Sequence, residues 1–427
     1  MFQPAEETRD HDALEALQLE RLRQTLARIA AHNPRYHGHL GKIAPRDLVT
    51  LRDLPALPFL TKAQLRDAYP YGMACFGSEP VLRIHMSSGT TGAPIVNPYT
   101  AADVQQWREV MGRSYAAATV TALDVIQITP SFGLFTGGFG FHYGAEAIGA
   151  MVIPIGAGRT LLQLQLLRDL GATVVVGIAT YPLRLIEVAR EEGFDFRHTK
   201  LRVAILGSEM WSDELRARIE GAMGVRAYDA IGMTETGGPG MGIDCPARDG
   251  IHVWDDHYMP EIIDPTSGRV LADGEPGELV VTTLTRQGLP LIRYRTQDLT
   301  RIRSRERCAC GRTGVRIDRL QGRTDDMVIY KGINFYPRQV EQILLRQGGL
   351  DHEYQIVLDT EAGGSERMVL CVEAGPTFDS AAEARLRREL HDFLGLTPVL
   401  RRFGAGEIPR PQGKAVRVVD QRTGRGG

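Results

Sequence analysis

Cysteine is scarce in this sequence, and long hydrophobic runs are missing altogether. The 427 residues contain 5 cysteines, too few for the disulfide framework of a small secreted protein. The longest apolar runs, such as residues 174–179, have the length of a strand and fall well short of the ~18 residues of a membrane-spanning helix. The N-terminus has neither the basic nor the apolar segment of a secretory signal. We therefore expect a soluble, cytoplasmic protein.

An excess of charge of either sign is also lacking. Lys and Arg together number 50, and Asp and Glu 52, which gives a formal net charge of −2. This balance does not favour a nucleic acid or an anionic membrane as a partner. Apolar residues make up 43% and charged residues 24% of the chain, an ordinary globular composition that excludes a largely disordered chain.

Alternating strand and helix patterns predict the fold class. β-rich runs alternate with helical stretches up to about residue 223, which favours βαβ units and a largely parallel sheet with helices on its faces. The predicted strands are residues 81–85, 125–129, 151–155, 173–178 and 201–206, and the predicted helices are residues 101–118, 160–170, 182–192 and 212–223.

The alternation stops after about residue 250. Turn signals there bracket short strands such as residues 278–283, which predicts an antiparallel β subdomain at about residues 245–321. From about residue 322, a strand, a helix, two strands, a second helix and a final strand form a compact unit. We predict an α/β fold with a large N-terminal domain, residues 1–321, of mixed parallel sheets with flanking helices. A small α+β C-terminal domain, residues 322–427, follows it.

A loop rich in glycine and hydroxyl side chains follows the first predicted strand. Glycine lets the backbone approach a ligand closely and hydroxyl groups add hydrogen-bond donors, so the loop could cradle a phosphate. It is not a Walker A loop, because Ala93 stands where a lysine is required. A plain turn between two elements is the alternative interpretation. The residues of this loop are Ser87, Ser88, Gly89, Thr90, Thr91 and Gly92.

Three further polar stretches could contribute to the same site. Thr234 and Glu235 lie in a glycine-rich loop, and their oxygen atoms suit Mg²⁺ beside phosphate groups. Asp298 stands where a strand could present it to both hydroxyls of a ribose. Lys414 lies on a turn near the C-terminus. Taken singly, each of these is equally well explained as an ordinary surface feature.

Together and in this order, the four stretches resemble the adenylate-forming superfamily of acyl-CoA synthetases, aryl-acid ligases and adenylation domains. Within it, the chain is similar to the phenylacetate–CoA ligase family. The likeness extends to residues 83–89, which lead into the loop, to residues 133–146, and to residues 289–296 and 332–337. It covers nearly the whole chain, from about residue 17 to residue 420.

The resemblance implies a reaction and its cofactors. An aromatic carboxylic acid is activated with ATP and Mg²⁺ to an acyl-adenylate, and the acyl group is then transferred to CoA. The loop of residues 87–92 would hold the ATP phosphates, Thr234 and Glu235 the adenylate and Mg²⁺, and Lys414 the reacting carboxylate and α-phosphate. The other implied nucleotide-binding residues are Gly207, Ser208 and Glu209 along the adenine, Asp229, Ile231 and Gly232 in the neighbouring strand, Asp298 and Arg323 at the ribose, Lys331, and Asp325 at the hinge of a mobile small domain.

The substrate pocket is implied in the same way, and three departures from the family pattern bear on it. A flat, apolar pocket for an aromatic acid is implied. Ala93 removes a cation near the β- and γ-phosphates, Ile231 stands where an aromatic residue commonly stacks on adenine, and Pro130 stands where the pocket often has an aromatic residue. The pocket residues are Pro130, Phe132, Phe135, Phe141, His142 and Tyr143.

Cysteine and histidine near the β subdomain suggest a metal site. Three thiolates and one imidazole satisfy a tetrahedral structural zinc ion, and some members of the resembled family carry such a Cys₃His site. The alternative is four unliganded side chains in the same subdomain. Cys75 and Cys371 look like core thiols. The residues of the potential zinc site are Cys245, His252, Cys308 and Cys310.

Other functions stay open at this point. The acceptor could be a carrier protein or an amine instead of CoA. Any carrier would be a separate protein, since no carrier domain follows within the chain. Ala93 and Ile231 would also suit a nucleotide-binding homologue that has lost turnover. A Rossmann dehydrogenase is the weakest alternative, because residues 138–140 lack the spaced third glycine of that motif. The resemblance further suggests a homodimer.

Overall fold

The computed structural model describes residues 1–41, 43–87, 93–324, 326–361, 365–409 and 416–422. The chain divides into two compact units. The first comprises Met1–Ser208 and Glu220–Leu320, and the second comprises Glu209–Ile219 and Gln321–Gly427. No helix in the described ranges is both long enough and apolar enough to cross a lipid bilayer.

The helices and strands are numbered in chain order. The helices are α1 (Pro4–Glu7), α2 (His11–His32), α3 (Pro34–His39), α4 (Lys62–Asp67), α5 (Ala101–Ala117), α6 (Gly137–Ala147), α7 (Thr160–Asp169), α8 (Tyr181–Glu191), α9 (Asp213–Met223), α10 (Pro337–Leu345) and α11 (Ser380–Leu394). Short 3-10 helices span Pro45–Asp47, Leu51–Ala56 and Phe196–His198. The strands are β1 (Arg83–Met86), β2 (Val96–Tyr99), β3 (Val125–Ile128), β4 (Met151–Ile153), β5 (Val174–Ile178), β6 (Val203–Gly207), β7 (Arg226–Met233), β8 (Gly238–Asp244), β9 (Ile251–Val253), β10 (Tyr258–Ile263), β11 (Gly277–Thr283), β12 (Tyr294–Thr300), β13 (Ile302–Ser304), β14 (Arg316–Ile317), β15 (Gly322–Arg323), β16 (Val328–Tyr330), β17 (Ile333–Phe335), β18 (Leu350–Thr360), β19 (Glu366–Ala374), β20 (Val399–Phe403) and β21 (Val418–Asp420).

A nine-stranded sheet forms the centre of the first unit. Its order is β13-β14-β9-β8-β7-β6-β5-β3-β4. The strands from β4 to β7 are parallel to their neighbours, whereas β7, β8, β9, β14 and β13 pair antiparallel. Strands β5 and β6 are almost continuous apolar runs and are buried, as expected where helices cover both faces of a parallel sheet. The mixed architecture confirms the predicted α/β fold class.

Helix α6 is fixed against α5 by its glycines. A Cβ atom added at Gly144 would lie 2.5 Å from Cβ of Met111, and one added at Gly140 would lie 2.7 Å from the indole ring of Trp107. Only glycine allows so close an approach. The sequence did not predict α6, because its glycine-rich composition is unfavourable for a helix, and tertiary packing overrides that preference.

Outside the central sheet, further strands of the first unit pair antiparallel. Strands β10, β11 and β12 pair antiparallel in that order, and β11 includes the predicted strand 278–283. Strands β1 and β2 form a separate antiparallel hairpin, with Met86 opposite Val96.

The second unit has its own sheet and core. Strands β18 and β19 pair antiparallel, and β20 and β21 add in parallel at the two edges, in the order β20-β19-β18-β21. The single final strand expected from the sequence is therefore two strands. Helix α11 buries Leu386 and Leu390, spaced by one turn, in the core of this unit. The segment 209–219 belongs here through Arg338, whose Nη2 donates to the carbonyl oxygen of Trp211 at 2.8 Å.

Candidate active site and metal centre

Several predicted site residues follow parallel strands of the central sheet. Pro130 lies just beyond the end of β3, Ser208 follows β6, and Thr234 follows β7. The carboxyl ends of parallel strands meet at one edge of a sheet, and ligands of open α/β sheets bind outside that edge. The topology therefore gathers segments from three separate parts of the chain at one place.

The glycine-rich loop is closed at its base by Ser87. The backbone N–H of Ser87 donates to the carbonyl oxygen of Ile95 at 3.0 Å, and the N–H of Ile95 donates to Oγ of Ser87 at 2.9 Å. The chain thus leaves and rejoins the hairpin at neighbouring points. Ser88, Gly89, Thr90, Thr91 and Gly92 lie outside the described residues.

Asn97 joins this hairpin to the loop that carries Thr234 and Glu235. The Asn97 side chain is fully buried, and its Nδ2 donates to the carbonyl oxygens of Thr234 at 2.6 Å and Glu235 at 3.2 Å. Nη2 of Arg286 donates to its Oδ1 at 3.0 Å. One amide side chain therefore fixes the predicted Mg²⁺ loop relative to the base of the predicted phosphate loop.

Glu235 has a cationic partner that the sequence did not indicate. Nζ of Lys62 lies 3.5 Å from Oε1 of Glu235, whose side chain is only 6% exposed. Lys62 is the first residue of α4, and Thr61 caps that helix by accepting a hydrogen bond from the Gln64 N–H. The Thr61–Gln64 capping box marks a helix start in the sequence, but no spacing rule connects residue 62 with residue 235, or Asn97 with either.

The remaining nucleotide-site residues of the first unit lie on β6, β7 and β12. Gly232 is needed as glycine, because an added Cβ would lie 2.2 Å from the carbonyl oxygen of Gly238. Asp229 is paired with Arg319, whose Nε lies 2.6 Å from its Oδ2. Asp298 is buried, and its N–H donates to Oγ1 of Thr296 at 3.0 Å. Gly207 and Ile231 are also buried, and Ser208 follows with a φ of 67°.

The other predicted nucleotide-site residues belong to the second unit or to undescribed segments. Glu209 and Arg323 are in the second unit, where Nε of Arg323 lies 3.9 Å from Oδ2 of Asp326. Lys331 is there too, and its N–H donates to Oε2 of Glu366 at 3.0 Å. Asp325 and Lys414 lie outside the described residues.

Aromatic side chains cluster on one face of α6. Phe139 lies 5.5 Å from Phe132 and 6.2 Å from Tyr143, measured between ring centroids. His142 lies 6.1 Å from Phe132 in the same way. The guanidinium of Arg83 stands over this group, 5.1 Å from the Phe139 centroid and 4.8 Å from that of Tyr143. The structure thus brings Phe132, His142 and Tyr143 together.

Two of the predicted pocket residues do not join this ring cluster. Phe141 is buried in the main core beside Tyr115, with ring centroids 6.3 Å apart, because it points from the opposite face of α6. Phe135 is 52% exposed. Phe139 was missed, although its spacing of four residues from Tyr143 is the helical signal that would have identified it.

The four predicted metal ligands come together in the first unit. One donor atom from each of Cys245, His252, Cys308 and Cys310 lies within 4.8 Å of all the others. Sγ of Cys245 and Sγ of Cys308 are 3.8 Å apart, and Sγ of Cys310 is 3.4 Å from Nε2 of His252. A tetrahedral zinc ion with Zn–S near ~2.3 Å and Zn–N near ~2.0 Å would set these separations at about 3.8 and 3.5 Å. The donor set and its spacing fit a closed zinc site.

The electrostatics of this cluster favour a thiolate at Cys310, whereas the hydrogen bond with Cys310 and burial raise the pKa of the Cys245 thiol. Hydrogen bonds with Cys245 and with His252 hold the pKa of the Cys310 thiol well below its ordinary value. The turn that carries Cys308 and Cys310 is closed by the Gly311 N–H, which donates to the Cys308 carbonyl oxygen at 2.8 Å. Cys75 and Cys371 are buried in apolar clusters away from this site, as the sequence indicated.

Comparison with known proteins identifies the class to which this arrangement belongs. The family model described as "AMP-binding enzyme" matches residues 49–285, and the model described as "AMP-binding enzyme C-terminal domain" matches residues 332–422. The protein is therefore an adenylate-forming enzyme.

Full-length relatives make the assignment specific. The chain is 39% identical over 426 residues to the phenylacetate-coenzyme A ligase of Pseudomonas putida, covering 97% of this chain and 96% of the relative. It is 40% identical over 428 residues to the phenylacetate-coenzyme A ligase of Escherichia coli (strain K12), covering 98% and 97%. Among solved structures, 2-hydroxyisobutyryl-CoA ligase in complex with 2-HIB-AMP superposes with a TM-score of 0.90 at 27% identity, covering 98% and 91%. The chain belongs to the phenylacetate–CoA ligase family.

The predicted family and enzyme class are thereby confirmed. The protein is an AMP-forming acid–CoA ligase, which activates an acid as an acyl-adenylate and transfers the acyl group to CoA.

Proposed function

We propose that the acid is aromatic and that the product is an aryl-CoA thioester. The observation that carries this proposal is the ring cluster of Phe132, Phe139 and Tyr143, whose centroids lie 5.5 and 6.2 Å apart. Flat aromatic faces at such separations favour packing with another ring. The names of the curated relatives, phenylacetate-coenzyme A ligases, support the same class of acid.

Pro130 is the feature that sets this chain apart within the proposed pocket. Its ring packs close to the first residue of α6, since a Cβ added at Gly137 would lie 3.0 Å from Cβ of Pro130. The resembled family often has an aromatic side chain here. Replacement by proline removes a ring from that wall, so we propose an aromatic acid whose ring or substituent takes up this space.

The proposed chemistry follows from charge. A carboxylate is a poor nucleophile toward an anionic triphosphate, so the charge that develops as pyrophosphate leaves must be neutralised. Glu235 offers a buried carboxylate, which fits the hard-oxygen preference of Mg²⁺. Glu235 and Thr234 would hold that ion, which supplies charge neutralisation at the phosphoryl oxygens when bound.

The other proposed roles belong to side chains of this chain. Residues 87–92 would bind the phosphates through backbone N–H groups. The carboxylate of Asp298 would accept hydrogen bonds from the ribose hydroxyl groups. Lys62 adds a positive charge beside Glu235. Lys414 is proposed to contact the carboxylate and the α-phosphate during adenylation, and Asp325 is proposed as the hinge of the small domain.

We also propose that Cys245, His252, Cys308 and Cys310 hold a structural Zn²⁺. The four ligand atoms lie within 4.8 Å of one another. Four protein ligands fill a tetrahedral zinc site and leave no open position for a substrate. Such an ion would stabilise the β strands that carry its ligands and take no part in adenylation.

The test is acid-dependent release of pyrophosphate with ATP and Mg²⁺, run across aromatic and short aliphatic hydroxy acids, with and without CoA. We expect release with aromatic acids and an aryl-CoA product when CoA is present. Glu235→Gln should abolish release, whereas Glu275→Gln, an exposed carboxylate on a turn, should not. Release that depends only on aliphatic acids would overturn the aromatic assignment. An adenylate that is passed to a phosphopantetheine carrier or an amine, but not to CoA, would overturn the proposed product.

A further inference from the structure

The N-terminal segment, residues 1–9, lies directly on the metal loop, residues 308–314. The Thr313 N–H donates to the carbonyl oxygen of Glu7 at 3.2 Å, and Oγ1 of Thr313 donates to the carbonyl oxygen of Arg9 at 2.6 Å. The terminal methyl group of Met1 approaches Gly311 so closely that an added Cβ would lie 3.0 Å from it. The loop that presents two of the proposed zinc ligands is therefore covered by the beginning of the chain.

Glu7 anchors the N-terminal segment with a fully buried carboxylate. One oxygen, Oε1, accepts hydrogen bonds from the N–H groups of Phe2 and Gln3, each at 2.7 Å. The other, Oε2, accepts from Nε of Arg312 at 2.7 Å, and the two side chains are 0% and 5% exposed. A carboxylate is costly to bury unless it is paired and hydrogen-bonded, and all of these partners belong either to the segment or to the metal loop.

Arg312 links that carboxylate to a metal ligand. Its Nη1 lies 3.5 Å from Sγ of Cys310, within hydrogen-bond reach of sulfur. Three thiolates around one divalent ion leave a net negative charge in a buried place, and a guanidinium that contacts a thiolate offsets it. Groups in this outer position orient metal ligands and tune their affinity for the ion.

We propose that the N-terminal segment is a strap over the metal loop, and that Glu7 is a positioning residue that holds Arg312 against Cys310 and slows release of the ion. The proposal rests on the proposed zinc site. Two effects are expected. Loss of the ion weakens the contact of the strap with the metal loop, because Arg312 loses its thiolate partner. Loss of the Glu7 carboxylate makes release of the ion faster. Glu7 is not one of the four proposed ligands, and its proposed effect on the ion passes through Arg312.

The first experiment measures zinc in the purified full-length chain and then the rate of its transfer to a chromogenic chelator. Glu7→Gln keeps the size of the side chain but removes the negative charge that accepts the hydrogen bond from Arg312. We therefore expect zinc release about tenfold faster than from the unmodified chain. The matched control is Glu6→Gln, one position away, where the carboxylate is 35% exposed and lies 3.7 Å from Arg9. Zinc should leave Glu6→Gln at the same rate as it leaves the unmodified chain.

The second experiment needs no substitution, so it holds even where Glu7→Gln does not fold. Hydrogen exchange is compared between the zinc-loaded chain and the same chain after chelation. We expect protection to be lost at residues 1–9 together with the metal loop. If the chain holds no zinc and takes up none when Zn²⁺ is added, the zinc site itself is wrong. If zinc is bound but residues 1–9 keep their protection after chelation, or if both variants release zinc at the same rate, only the strap is overturned.

Discussion

Nζ of Lys62 lies 3.5 Å from Oε1 of Glu235, so the carboxylate proposed to hold Mg²⁺ is paired with a lysine side chain. This pair matters because Ala93 leaves the glycine-rich loop without the lysine that the resembled family has there. Lys62 contacts Glu235 from a different part of the chain, at the start of α4. A cation is thus supplied beside Glu235 by packing instead of by the loop.

Lys62→Met should slow adenylation and weaken ATP binding. The substitution keeps most of the side-chain volume and removes the charge, and loss of one charge-stabilising group in an active site costs about tenfold or more in rate. Steady-state pyrophosphate release gives both kcat and the KM for ATP. Lys200→Met, at an exposed position, is the matched control. Unchanged kcat and KM in Lys62→Met would show that the Lys62 charge plays no part.

Asn97→Ala should impair the reaction through the position of the Thr234–Glu235 loop. It removes the donor to two backbone carbonyl oxygens and leaves buried groups without their partner, at a cost of about 1–3 kcal/mol in stability. We expect a lower melting temperature and, well below it, a lower kcat/KM for ATP. Asn334→Ala, at an exposed position, controls for loss of an amide. A loss of stability with full activity in the folded enzyme would contradict the positioning role.

Phe139 and Phe141 should respond differently to the same change. Phe139→Leu alters the ring cluster and should raise the KM of an aromatic acid by about tenfold, the effect expected of a misfit in an apolar pocket. Phe141→Leu removes a ring from the main core beside Tyr115 and should mainly lower the melting temperature. Acid-dependent kinetics and thermal unfolding of both variants separate the two roles. Equal effects on the KM would refute the assignment of faces on α6.

His352 should make the stability of the second unit depend on pH. Burial lowers its pKa, but hydrogen bonds with Asp351 and Glu353 outweigh this, and the net pKa is raised above its ordinary 6.5. Arg218 and Arg417 face those two carboxylates. A raised folded-state pKa stabilises the fold fully below pH 6.5, and that stabilisation is lost as pH rises through the folded-state value.

The corresponding experiment compares His352→Gln with the unmodified chain by thermal unfolding at several pH values. We expect the substitution to destabilise most at pH 6 and progressively less toward pH 9. His391→Gln, at an exposed helical position, should show no such trend. A difference between His352→Gln and the unmodified chain that does not change with pH would rule out the protonated pairing with Asp351 and Glu353.

The sequence was sufficient where the relevant signal is local. Strands β5 and β6 are near-continuous apolar runs, so their burial in a parallel sheet could be predicted. Cys308 and Cys310 are close in sequence, and the pairing with Cys245 and His252 needed only that all four lie in one subdomain. The phosphate-binding role of residues 87–92 stays a prediction, because residues 88–92 lie outside the described residues.

The sequence was insufficient where distant segments meet. Lys62, Asn97 and Glu235 are brought together by the packing of α4, the β1–β2 hairpin and the loop after β7, and none of these contacts leaves a periodic pattern. The ring cluster was only partly predicted, because the glycine-rich sequence of α6 is typical of a loop and not of a helix. Without the helix, the opposite directions of Phe139 and Phe141 could not be inferred.

The glycine contacts between α5 and α6 have a consequence for how the acid specificity of this enzyme can change. Because Gly140 and Gly144 seat α6 directly against Trp107 and Met111, that helix has no room to tilt or slide. The ring cluster of Phe139 and Tyr143, proposed to line the acid pocket, therefore stands on a tightly packed helix. If these rings line the acid pocket as proposed, acid specificity would change through substitution of the side chains that face the acid and not through a shift of α6.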